Sequence, residues 1–190
     1  MPPLTAIILS NKRNKRRVYV SIHHRDELSL GENRVRLGYE AFHWGILITP
    51  KSSRGPDSLA FDIFDVAVLD PISRQDTNPN RNWIFRPKTR VDSMRSGRLL
   101  GRVLIGKVPN NTTDVQIQSV LATVPVPVNG ATPQQSCVTW TLAAVAALQN
   151  AGLARQFDVS QFTALANSYA DRWLAAPNAH NRYDYAVGSQ

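Results

Sequence analysis

A single cysteine, Cys137, stands in 190 residues, so no disulfide can form within the chain. A lone thiol fits a reducing compartment, and the expectation is a cytoplasmic protein. The Cys-x-x-Cys pairs of zinc sites are missing. His23 and His24 are neighbours and would point to opposite faces of a strand, which is poor metal geometry. Neither a phosphate-cradling glycine loop nor a dinucleotide fingerprint is present, so no cofactor is expected. Ala6 to Leu9 is too short for a secretory core, and no apolar run reaches the roughly 20 residues of a membrane span. Acidic residues are scarce, 14 against 22 Lys and Arg, for a net charge of +8 and a pI near 10.1.

What is present reads as one α+β domain. The hydrophobic fraction is 43% and the charged fraction 19%, ordinary for a globular chain that builds its core without cross-links. Residues 1–16 read as a basic flexible arm, 17–176 as the single domain and 177–190 as a polar tail. Val18, Val20 and Ile22 alternate with polar neighbours and give a first strand. Residues 25–38 read as a loop. "EAFHWGILITP" (40–50) and "LAFDIFDV" (59–66) are strands of one hairpin, "NWIF" is a short strand, and "RLLGRVLIGKV" (98–108) is a stronger one. About five antiparallel strands are therefore expected. Helices are expected over about 114–123, from Cys137 onward, and over about 159–175. Ser136 is a good cap for the second, and Gly152 a good stop.

That second helix is apolar on nearly all sides, so it is buried, and Cys137 falls in its first turn. Unpaired N–H groups there carry partial positive charge, which favours a thiolate and can stabilise an oxyanion. His43 shares a strand face with Ala41, Gly45 and Leu47, so a helix could pack closely over it. On the next strand Asp62 shares a face with Ala60, and it can orient the His43 ring if the two faces coincide. Asp65 points to the opposite face.

The order "AFHWGILI", a strand with a polar residue, then "SCVTW" opening a helix resembles the circularly permuted papain-like enzymes. These include the lecithin retinol acyltransferase-like and NlpC-type proteins. The matching residues are His43, Trp44 and Cys137, with Ser136 where that family usually has Asn. The chain also resembles a group of small uncharacterised proteins of filamentous fungi, through "AFHWGILI", "RVLIGKV" and "SCVTW" over residues 17–175. The resemblance implies a permuted papain-like sheet on a Cys-bearing helix with two further helices.

The expected activity is acyl transfer or hydrolysis through a thioester. Cys137 is the nucleophile, His43 the base and Asp62 the orienting group. The Cys137 N–H, with Gln134 or Gln135, would form the oxyanion hole beside Ser136, Trp44 and Trp140. The substrate is an acyl or amide compound. Two rivals follow from the charge. In one, the enzyme takes its acyl group from aminoacyl-tRNA and forms an amide bond. In the other, the domain is a non-catalytic module whose "NKRNKRR" segment contacts RNA or serves as a nuclear address. The residues for a tRNA or another polyanion are Lys12, Arg13, Lys15, Arg16 and Arg17, with Arg86, Lys88 and Arg90.

Overall fold

A computed structural model describes residues 15–185. Among them run β1 (Arg16–His24), α1 (Gly31–Leu37), β2 (Phe42–Pro50), β3 (Ser58–Phe64), β4 (Ile84–Val91), β5 (Leu99–Lys107), α2 (Asp114–Ala122), α3 (Cys137–Asn150), α4 (Val159–Ala175) and β6 (Arg182–Asp184). The strands form one mixed sheet in the order β4-β3-β2-β1-β5-β6. Only β6, beside β5, is parallel to its neighbour. The α+β class holds, with six strands and four helices where about five and three are expected from sequence.

Alternation sets the two faces of the sheet. Val18, Val20 and Ile22 of β1, and Phe42, Trp44, Ile46 and Ile48 of β2, join one buried cluster with Val138, Trp140, Val145 and Leu148 of α3. Each such side chain removed from water contributes about 1.5–3 kcal/mol. Gly101 of β5 lets α4 settle on the same face. A Cβ there would lie 2.3 Å from the Trp173 ring. The other face of the central strands carries Ser21, His23, His43 and Asp62 beside Tyr19 and Leu47.

Three expectations change. Residues 25–38 are not a loop but a 3-10 turn (Asp26–Ser29) and α1. Its Arg34 reaches Asp171 of α4 at 2.7 and 2.8 Å and stacks 4.9 Å from the Phe42 ring, partners too distant in the chain for composition to reveal. The short strand at "NWIF" is displaced to the eight residues of β4, an edge strand that tolerates Pro87. The polar tail supplies β6, held because Tyr183 stacks on Tyr169 at 4.2 Å and Tyr185 packs 4.6 Å from Phe157.

Candidate active site

The head of α3 is built by Ser136. Its Oγ accepts from the Val138 N–H at 3.2 Å and from the Thr139 N–H, while Thr139 Oγ1 accepts from the Ser136 N–H at 2.8 Å. The Trp140 N–H donates to the Ser136 carbonyl at 3.1 Å. With these donors used, the Cys137 N–H is left without a partner among the described residues. Cys137 is only 2% exposed, and its thiol lies 3.9 Å from the Phe42 carbonyl oxygen. It nevertheless lines a cleft of about 710 Å³ together with His23, His43, Asp62, Asp65 and Trp83.

His43 turns Nε2 toward Asp62 Oδ2 at 3.4 Å. That leaves Nδ1 as the ring nitrogen available to the thiol. Asp62 is 8% exposed and heavily bound: Arg86 Nε donates to Oδ1 at 2.8 Å, a second Arg86 nitrogen to Oδ2 at 2.9 Å, and Lys88 Nζ to Oδ2 at 3.0 Å. Burial would raise the Asp62 pKa, but His43, Arg86 and Lys88 overcome it and hold the carboxyl well below the usual range. Burial likewise works to lower the His43 pKa. Hydrogen bonding and charge from Asp62 and Cys137 outweigh it and raise His43 from 6.5 to about 9.

The helix does not pack over His43. α3 covers the opposite face, that of Phe42 and Trp44, and its first residue reaches around the end of β2 to His43. Gly45 serves another purpose. It faces Asp62, and a Cβ at Gly45 would meet the Asp62 Cβ at 3.2 Å and the Phe61 carbonyl oxygen at 3.0 Å.

His23 is the site residue that sequence reasoning passed over. It pairs with His43 across the β1–β2 ladder, the two rings lie 6.1 Å apart, and its Nε2 lies 3.1 Å from Ser21 Oγ. Burial first, then the His43 charge, lowers its pKa from 6.5 to about 3. Its strand parity, shared with His43 once the β1–β2 register is known, is the signal that would have found it.

The remaining expectations divide. Trp44 and Trp140 are 0% and 1% exposed and belong to the core, not to a substrate site. Gln134 Nε2 donates to Glu40 Oε2 at 3.4 Å, and Gln135 Oε1 accepts from the Val128 N–H at 2.9 Å. Both line an adjoining recess rather than the Cys137 cleft, so neither is placed as an oxyanion donor. Asp65 is not sent to the other side. β3 ends at Phe64, alternation ends with it, and Asp65 lines the same cleft without any hydrogen bond or ion pair among the described residues.

Arg86 and Lys88 are occupied by Asp62, which corrects their assignment to nucleic acid. Arg90 is exposed on edge strand β4. Lys12 and Arg13 lie outside the described residues. Arg16 pairs with Asp114. Lys15 is exposed, and Arg17 lines a separate recess with Lys51, Lys107 and Arg182. Among the described residues no group of three or more His, Cys, Asp or Glu is arranged to hold a metal ion, and no helix is long and apolar enough to cross a membrane.

No curated protein and no solved structure matches this chain. Residues 15–189 match one family profile, and the chain accordingly belongs to DUF6914, a family of unknown function.

Proposed function

We propose that the protein is a cysteine-nucleophile enzyme of acyl transfer or hydrolysis. The observation that carries this reading is the convergence of Cys137, His43 and Asp62, from three separate elements, on one open cleft. The Cys137 sulfur, as thiolate, attacks the substrate carbonyl carbon and forms the C–S bond. The carbonyl oxygen becomes an oxyanion, and the unpartnered Cys137 N–H is placed to donate to it. His43, which holds its proton at neutral pH, gives that proton to the leaving group as its bond to carbon breaks. Water or an amine then attacks the thioester, His43 takes the proton of the incoming group, and the thiolate leaves. Asp62 keeps the ring in place and supports its charge. A permuted papain-like arrangement is the architecture that this order of strand and helix fits.

The test is release of nitrophenolate from a series of nitrophenyl esters of increasing acyl length. Wild-type protein is expected to turn over at least one, and Cys137→Ala none above background. Equal rates for the two proteins would reject the reading.

A further inference from the structure

Away from Cys137, four cations converge on a second recess of the sheet. Lys51 follows β2, Arg17 is the second residue of β1, Lys107 closes β5, and Arg182 opens β6 in register with Arg102, so four adjacent strands bring one each at two levels of the sheet. All four line a recess of about 340 Å³. Arg17 stands in register with Lys107, and the Lys51 N–H bonds the Lys15 carbonyl, which brings a further lysine backbone beside Lys51. None of the four forms an ion pair among the described residues. The one carboxylate in the recess, Asp184, receives Arg155 at 2.6 Å.

Several other cations have carboxylate partners. Arg86 and Lys88 share Asp62, Arg16 has Asp114 and Arg98 has Asp26. Like charges brought together repel, so folding gains nothing from this cluster. We propose that the cluster binds the phosphate backbone of a nucleic acid strand. Arg17 and Lys107 stand one inter-strand step of about 4.8 Å apart, and Arg182 is offset along β5 by roughly 16 Å, so the cluster rims the recess on two sides. A strand advances about 3.4 Å per phosphate along its axis, so one strand can offer a phosphate to each cation. Among the described residues, the large exposed apolar side chains, such as Val35, Ile72 and Val115, lie outside the recess. A lipid surface would call for apolar side chains beside the charges, which favours nucleic acid as the partner. The cluster is independent of the thiol, so Cys137→Ala is expected to bind as wild type does.

The experiment is fluorescence anisotropy of labelled single-stranded oligoribonucleotide and oligodeoxyribonucleotide across a salt series. The expected slope of log K against log salt is about 3 in magnitude, from four phosphates at roughly 0.7 each. The quadruple variant Arg17→Gln, Lys51→Gln, Lys107→Gln, Arg182→Gln should lose binding at least tenfold and flatten the slope. The double variant Lys51→Gln, Lys107→Gln changes only exposed side chains, and should roughly halve the slope even if the quadruple variant fails to fold. A control that neutralises Arg36, Arg54, Arg74 and Arg95 should keep the slope near that of wild type. Equal loss in the control, or no binding to either oligonucleotide at low salt, overturns the proposal. So does preferential binding to phosphatidylserine vesicles.

Discussion

Gly45 and Asp62 face each other across β2 and β3 so closely that a Cβ on Gly45 would stand 3.2 Å from the Asp62 Cβ. The glycine makes room for the carboxylate that meets His43. Gly45→Ala should therefore push β3 away and lengthen the contact between Asp62 and His43. The expected cost is about 1–3 kcal/mol in stability, as for overpacking, with a fall in turnover beyond what that loss explains. Denaturant melts beside ester turnover check both.

Cys137→Ala and His43→Ala should each remove nearly all turnover, and the double variant should be no worse than either, because the two act as a unit. Additive losses in the double variant would separate their roles.

Asp62→Asn should be milder in turnover. It also replaces the carboxylate that Arg86 and Lys88 share with a neutral amide that has one acceptor oxygen, at roughly 1–3 kcal/mol in stability. Asp65→Asn touches no partner and should change stability little. Side-by-side kinetics and thermal melts distinguish the two. If Asp65→Asn abolishes turnover while Asp62→Asn is silent, the orienting group is Asp65.

The two half-buried histidines, His23 and His43, set opposite limbs of stability against pH. His43, raised to about 9, contributes stability that is complete below 6.5 and lost as pH rises through 9. His23, lowered to about 3, contributes stability present above 6.5 and lost as pH falls toward 3. Their sum peaks near 6.5. His23→Asn is expected to flatten the acid limb alone, and Asp62→Asn to bring the basic limb to lower pH. Melting temperatures over a pH series read both.

Much of this site could be read from alternation and capping. His43 and Asp62 stand out because each shares a strand face with small residues, and Ser136 marks the helix that carries Cys137, but that the two faces coincide follows only from the β2–β3 register. What could not be read was the third dimension. His23 needed the β1–β2 register, and the Arg86 and Lys88 clamp on Asp62 needed the β3–β4 ladder. The side of the sheet that α3 covers depends on where the large apolar residues meet, so Gly45 looked like room for a helix. Trp44 and Trp140 next to site residues are core, because neighbours on a strand or helix point elsewhere. α1 and β6 are held by Arg34–Asp171 and Tyr169–Tyr183, contacts between distant segments with no local signature.

The most direct measurement is peptide mass mapping after brief exposure of the folded protein to a short-chain acyl thioester or activated ester. The account expects one acyl group on Cys137, sensitive to neutral hydroxylamine, formed far more slowly in His43→Ala and absent from Cys137→Ala. An unmodified Cys137 in protein whose lysines are acylated, or the same Cys137 labelling rate in His43→Ala, would contradict it.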